Sequence, residues 1–444
     1  MPKVSTIGAR QAAFRVLSRV IGGGAYADIL LEKELEGLGE ADRHLTTEIT
    51  YGVLRWRIRL DWVIDLFSSI KSKKLEHSVL NALRIGAYQL LFLTRVPASA
   101  AVNGSVELAK RGGGKKAGFV NAVLKKIDAG RAGIAYPDIN ADPIKYASIV
   151  YSHPEWMVKR WAERFGAEQA ISLCESNQSV PPKTLRVNTL AASRERLIDE
   201  LAGTGFAVKK TIYSPDGIEV SSGGRLDPKD PRYYIQDEAS QLIPYLLSPK
   251  PGEAILDLCS APGGKATHMA QLMGDSGLIC AVDKRPRRLK NVAEAARRLK
   301  TGIIRTVAAD ALDGIPFAMR FDAILLDAPC SGLGVLRRSP DIKYRRKEED
   351  IRELAGVQRR LLEMASGYLK KGGRMVYSTC TFEPEETDGV IKGFLKDHNE
   401  FVLEDASGYM PEGCGGLVDA SGFLRTYPLQ GLDGFFGARL GLRP

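Results

Sequence analysis

From about residue 236 onward the chain repeats one pattern, a short apolar run, a glycine-containing turn and a helical stretch. Strands are expected at 254–259 (AILDLC), 278–283 (LICAVD), 306–310 (TVAAD), 323–328 (AILLDA) and 374–379 (RMVYST), with helices such as 286–300 and 351–370 between them. Near-continuous apolar strands joined through helices are parallel crossovers, because only a sheet covered on both faces buries such runs. Residues 236–444 are therefore confined to an α/β, doubly wound sheet. Ligands on such a sheet bind at the carboxyl ends of the strands, so the residues just after each strand carry the functional information.

The rest of the 444 residues reads differently. Apolar positions at helical spacing over 8–22 and 76–96 predict an all-α domain over residues 1–135, with Pro97 stopping one helix. Within it, Lys110–Lys116 (KRGGGKK) is expected to be a basic glycine loop suited to phosphate. Scattered Gly, Pro and Asp over 131–150 suggest a linker. A helix over 155–176, a strand over 184–189, a helix over 193–205 and strands at 206–210 and 217–222 then suit a small α+β subdomain, giving 136–235 for linker and subdomain together.

Charge follows this division. The net charge is +10, with 20 basic and 12 acidic residues in 1–130 against 41 and 39 in 151–444. A basic module joined to a near-neutral one suits polyanion binding beside catalysis. No apolar run reaches the length of a membrane span, the start has no apolar signal core, and none of the six cysteines forms a C-x-x-C pair. The expectation is a cytoplasmic protein without membrane association, disulfide framework or metal. The histidines show no metal spacing and are expected at the surface or at caps.

The first strand-end turn is Asp257-Leu258-Cys259-Ser260-Ala261-Pro262-Gly263-Gly264-Lys265. It is not a phosphate loop, since Ala266 follows the lysine where Mg²⁺ ligation needs Ser or Thr. Asp283 ends the next strand and can take both ribose hydroxyls, and Asp310 closes the third, where an adenine edge would lie. An adenosine-containing ligand without a phosphate clamp points to S-adenosylmethionine.

The fourth and fifth strands end in Asp327-Ala328-Pro329-Cys330-Ser331-Gly332 and Ser378-Thr379-Cys380, which places two loop thiols at one crevice. Cys174 and Cys280 read as core, and Cys259 as packing beside the cofactor. Thiols beside a methyl donor suit methylation of cytosine carbon 5, a poor nucleophile until a thiolate adds at carbon 6. Asp327 is the nearest candidate to hold a proton at ring nitrogen 3, and Cys330 can serve as base for the carbon-5 proton or aid release. The basic stretch Arg337, Arg338, Lys343, Arg345, Arg346 and Lys347 follows the Cys330 loop and is expected to meet RNA backbone.

DLCSAPGGK, the Asp283 strand end, DAPCSGLG and YSTCTFEPEE resemble the RNA 5-methylcytosine methyltransferases, specifically the ribosomal RNA small subunit methyltransferase B (RsmB/Sun/Fmu) family. The likeness extends to PPKTLRVN, YYIQDEASQL and DGFFGARL, while DRHLTTEITYGVLRW and the ASAAVNGSVELAK to FVNAVLKKI stretch resemble the NusB-type RNA-binding bundle. It implies a Rossmann-like methyltransferase domain behind a NusB-like domain and a small RNA-binding subdomain. It also implies 16S ribosomal RNA as substrate and partner, Cys380 as nucleophile and Cys330 as the cysteine that resolves the adduct. The implied S-adenosylmethionine site comprises Cys259, Ser260, Ala261, Pro262, Gly263, Gly264, Lys265, Asp283, Asp310 and Asp327. Leu333, where the family commonly has threonine, and Thr387, where asparagine often stands, depart from the pattern and bear on substrate fit. Transfer RNA as substrate, and a DNA-type mechanism with Cys330 attacking, are the competing expectations; a non-catalytic RNA binder has no use for two loop thiols. A monomer is expected, since one chain holds both binding and catalytic parts.

Overall fold

The computed structural model describes residues 8–110 and 114–443. Among them two units are compact, one made of residues up to Ser179 together with Leu336–Arg346, the other of Val180–Val335 and Lys347 onward.

The first unit is helical. The helix His77–Phe92 is buried at every position from Val79 to Leu90 and forms the axis of the bundle. Around it pack Ala9–Gly23, Glu40–Arg55, Ala98–Lys110 and Gly114–Gly130, each giving an apolar stripe such as Ala13, Val16, Leu17 and Val20. Arg84 on the central helix would be costly to bury alone, and a two-pronged bond to Asp61 at 2.6 and 2.7 Å compensates it. Three expectations need correction here. Gly114–Lys116 of the basic loop are the first turn of a helix, while 111–113 lie outside the described residues. The expected linker contains a helix, Pro143–Val150, whose start was legible in Asp142, which accepts from the Lys145 N–H, and in the proline at its first position. The helix expected over 155–176 breaks at Gly166, which adopts φ 86°.

Segment Leu336–Arg346 belongs to this helical unit. The Lys343 ammonium is fully buried and donates to the carbonyls of Arg55 (2.9 Å) and Ser152 (2.8 Å). Arg55 donates to the Arg337 carbonyl at 2.7 Å, and the Arg57 guanidinium lies over the Tyr344 ring. Burial pulls the Lys343 pKa well down. Arg337 and Lys343 thus hold the segment in place and do not face RNA, which corrects the reading of this stretch as a row of phosphate contacts.

The second unit contains two sheets. Strands β1 (Lys183–Val187), β2 (Ala207–Lys210), β3 (Gly217–Ser222) and β4 (Tyr233–Ile235) form an antiparallel sheet in the order β2-β3-β1-β4. Leu185, Val187, Ile218, Val220 and Tyr233 form its core with Leu197 of the helix Arg194–Gly203.

The large sheet comprises β5 (Ala254–Leu258), β6 (Leu278–Asp283), β7 (Ile304–Ala308), β8 (Phe321–Asp327), β9 (Leu369–Thr379), β10 (Phe401–Glu404), β11 (Leu424–Arg425) and β12 (Phe436–Leu442). Its main path runs β10-β12-β9-β8-β5-β6-β7. The five strands β5 to β9 are parallel, as the alternating pattern requires. One face is covered by Leu242, Met269 and Val292, the other by Leu361, Val390 and Phe394. The fold class is thus α/β with a mixed sheet, because β10, β11 and β12 join it antiparallel. Two short strands and one bearing two glycines (FGARLGL) carry little periodic signal of their own, so their place is decided by pairing, β12 with β9 and both β10 and β11 with β12. Two histidines also depart from expectation: His153 and His268 are fully buried, and His268 Nε2–H donates to Asp216.

Candidate active site

Parallel register brings the strand ends together. Leu258 pairs with Val282 on one side and Leu326 on the other, and Asp327 pairs with Ser378. The residues that follow therefore share one rim. Beyond β5, the turn begins with Cys259 in the left-handed region at φ 60°, and Gly263 follows at φ 100°. A side chain on Gly263 would lie 2.9 Å from the Val292 backbone, so the turn packs tightly against the helix Pro286–Leu299 there. The helix Gly264–Leu272 starts at the second glycine of the pair.

Acidic groups line this rim. Asp283 is buried, accepts from the Arg285 N–H at 2.9 Å and faces Arg288 at 3.4 Å. Arg288 also donates to the Ala261 carbonyl. Asp310 accepts from the Leu312 N–H and pairs with the exposed Lys284 at 2.6 Å. Asp257, quoted in the motif but not singled out as a ligand, has a stronger claim than either. It is completely buried, one oxygen accepts from Ser260 Oγ at 2.5 Å, and its Oδ1 has no partner. Burial, reinforced by Asp327 and Asp283, pushes its pKa up to about 7 against the pull of Ser260. The signal available in sequence was its position as the last acid before the turn. Burial likewise pushes the Cys259 thiol up to about 12, which suits packing and not attack.

Lys265 and Asp327 form an ion pair at 2.7 Å, with the lysine side chain only 12% exposed. Burial disfavours the lysine's charge, but Asp327 outweighs it and holds Lys265 protonated above its usual range. The other Asp327 oxygen accepts from Ser378 Oγ at 2.8 Å, and the Phe435 ring lies 5.3 Å from the lysine nitrogen.

The sulfurs of Cys330 and Cys380 are 3.2 Å apart, and both residues are partly exposed. The hydrogen bond to Cys380 and burial together raise the Cys330 pKa well above the thiol range. Backbone contacts lock the two loops: the Gly334 N–H donates to the Cys380 carbonyl at 3.0 Å, and the Gly434 N–H to the Gly334 carbonyl at 2.7 Å. A β-carbon at Gly334 would lie 1.9 Å from the Gly434 carbonyl oxygen and 2.9 Å from that of Cys380, both backbone atoms that cannot step aside. Gly334→Ala is expected to cost about 100-fold in turnover by displacing Cys380, with far-UV circular dichroism close to wild type. Unchanged turnover would show that the loops tolerate the displacement. Leu333 and Thr387, the departures from pattern, are both buried, so they shape the wall and not the reacting surface.

Comparison with known proteins follows from this rim. A family model described as 16S rRNA methyltransferase RsmB/F matches residues 244–441. The NusB family model matches 8–129, and an RsmF/B-like ferredoxin-like domain matches 153–227. A Bacillus subtilis protein described as a probable ribosomal RNA small subunit methyltransferase B is 38% identical over 96% of this chain and 97% of its own length. The chain belongs to the RsmB/F methyltransferase family. Another RsmB relative, ribosomal RNA small subunit methyltransferase B of Sodalis glossinidius, is 35% identical over 97% of both chains. The crystal structure of PH0851 superposes with a TM-score of 0.79 at 25% identity, covering 99% of this chain and all of that one. NSun6 from Pyrococcus horikoshii, determined with SFG, covers 66% of the chain at a TM-score of 0.58 and 25% identity. No helix among the described residues is long and apolar enough to cross a membrane.

Proposed function

We propose that the protein methylates carbon 5 of a cytosine in 16S ribosomal RNA, with S-adenosylmethionine as methyl donor and a covalent cysteine adduct at carbon 6. The observation that carries the chemistry is the pair of sulfurs 3.2 Å apart at neighbouring strand ends, beside the partly buried Lys265–Asp327 pair. The ribosomal substrate is supported by the names of the Bacillus and Sodalis relatives.

The rim fits the cofactor. Asp257 Oδ1, buried without a partner, suits the ammonium of its methionine part. Asp283 suits the ribose hydroxyls and Asp310 the adenine edge; SFG, the cofactor analogue held by NSun6, supports the same ligand class. Bound there, S-adenosylmethionine supplies an electrophilic methyl group.

The chain's own residues do the rest. Cys380 thiolate adds to carbon 6, forming a carbon–sulfur bond and moving the ring electrons toward nitrogen 3. Lys265 and Asp327 face that charge together, with a proton held between them. Carbon 5, now part of an enamine, takes the methyl group. Cys330 then gives its proton to the departing Cys380 sulfur as the carbon–sulfur bond breaks, and the thiolate this leaves takes the carbon-5 proton, so both cysteines are regenerated. To be read at all, the base must leave its stack, and the basic helical unit suits holding the surrounding backbone.

The test is methyl transfer to isolated 16S ribosomal RNA and to transfer RNA, with the product nucleoside identified by mass spectrometry. The expected result is 5-methylcytidine in the ribosomal RNA only. Methylated transfer RNA would move the substrate, and methylation at another atom would remove the covalent mechanism.

A further inference from the structure

The Cys330 and Cys380 loops meet side chain to side chain at Asp327 and Ser378, at the two sulfurs and around Ser331. The last of these is organised by one carboxylate. Glu386, the last residue of the 3-10 turn Pro384–Glu386 that follows the Cys380 loop, is fully buried. Its Oε1 accepts from the Ser331 N–H at 2.8 Å and from Gln358 Nε2 at 2.9 Å, and its Oε2 meets Ser331 Oγ. Gln358 Nε2 also donates to the Pro329 carbonyl at 2.9 Å. The residues on both sides of Cys330 are therefore tied, directly or through one amide, to Glu386.

The same carboxylate reaches the second loop. Ser331 Oγ and Thr381 Oγ1 are 3.0 Å apart. Ser331 has one hydroxyl proton, and Glu386 takes it, so the Thr381 hydroxyl supplies the proton for the bond between the two hydroxyls. Tyr377, just before the Cys380 loop, donates from its hydroxyl to the Glu386 carbonyl at 2.7 Å. Buried charge is costly unless several donors converge on it; here they are the Ser331 N–H and hydroxyl and the Gln358 amide, and the Cys380 loop is joined to them through the Ser331–Thr381 bond.

We propose that Glu386 is a positioning residue that pins the Cys330 loop to the Cys380 loop, keeping the Cys330 thiol within reach of the Cys380 adduct. This rests on the covalent reading above. In its absence the Cys330 loop relaxes first, because Ser331 and Pro329 lose their common anchor, whereas Cys380 is still held by the Gly334 N–H. The defect is then one of release, and adduct accumulates. Glutamine at 386 restores the geometry: its carbonyl accepts as Oε1 does, and its amide donates to Ser331 Oγ.

The experiment compares wild type, Glu386→Ala, Glu386→Gln, Ser331→Ala and Cys330→Ala in kcat, KM for S-adenosylmethionine, and covalent protein–RNA complex on denaturing gels. Phenylarsine oxide, which bridges paired thiols, measures the spacing of the cysteines without RNA. Glu386→Ala is expected to lose about 100-fold in kcat with KM unchanged, to accumulate complex as Cys330→Ala does, and to bind the arsenical at least about 10-fold more weakly. Glu386→Gln stays within about 3-fold of wild type, and Ser331→Ala shifts the same readouts less. A merely structural residue would lower folded yield without trapping complex or splitting kcat from KM. If Glu386→Ala fails to fold, Ser331→Ala with wild-type release and arsenical binding overturns the proposal. Trapping by Cys330→Ala but not by Glu386→Ala overturns it too. If Cys330→Ala itself traps nothing, the covalent reading falls, and unchanged arsenical binding in Glu386→Ala then overturns the positioning role separately.

Discussion

Cys380→Ala protein transfers no methyl group and forms no covalent complex with RNA, whereas Cys330→Ala accumulates a complex that it cannot release. The loss at Cys380 is expected to be roughly 10⁴-fold or more, the scale on which removal of an attacking nucleophile is felt. The asymmetry follows from the sulfur pair. Burial and the contact with Cys380 raise the Cys330 pKa well above the thiol range, so across the 3.2 Å contact it is better suited to giving a proton to a departing sulfur than to attack. A denaturing gel of each variant with 16S ribosomal RNA and S-adenosylmethionine checks this. Complex from Cys380→Ala and none from Cys330→Ala would hand the attack to the Pro329-Cys330 loop, as in DNA-type enzymes.

Asp257→Asn weakens S-adenosylmethionine binding by about 10- to 100-fold, since it removes one charge-assisted bond of roughly 1.5–3 kcal/mol. The same residue makes binding depend on pH. With its pKa pushed up to about 7, Asp257 is largely protonated below that value in the free protein and must lose the proton to face the cofactor's ammonium. Affinity therefore rises with pH up to about 7 and then levels off, and binding near neutrality releases protons. Calorimetry in buffers of different ionisation enthalpy measures that release, and Asp257→Asn is expected to abolish it. The stability sign is opposite to that of a salt-bridged carboxylate. The folded protein holds the proton more tightly than the unfolded chain, so this group's contribution to stability falls as pH rises from about 4 to about 7. Proton release that persists in the variant would move the effect to another acid.

How much of this was legible in sequence depends on the distance over which each feature is decided. The strand ends were readable because a run such as AILDLC followed by a glycine turn carries its own period and stop. Cys330 and Cys380 could be placed at one crevice for the same reason, each sitting just past a strand. Glu386 was visible only as part of a motif: its value comes from Ser331 and Gln358, and no local spacing announces those partners. Lys343 was misread because lysine is ordinarily solvated, and the two carbonyls that bury it belong to Arg55 and Ser152. His268 was misread likewise, its partner Asp216 lying in the loop before β3. The antiparallel strands β10 and β12 escaped because pairing, and not propensity, makes them strands.

The helical unit is written in two pieces, and the second piece, Leu336–Arg346, is encoded after most of the parallel sheet. A ribosome synthesising the chain thus delivers the first helices long before the lysine that caps the Arg55 and Ser152 carbonyls. Until the residues beyond β8 have been translated, that bundle lacks the donor for the Arg55 and Ser152 carbonyls. Shuffling of this domain between genes as one contiguous cassette ending at Ser179 would leave that donor permanently missing. A fragment ending at Ser179 therefore lacks the eleven residues, Leu336–Arg346, that complete this unit.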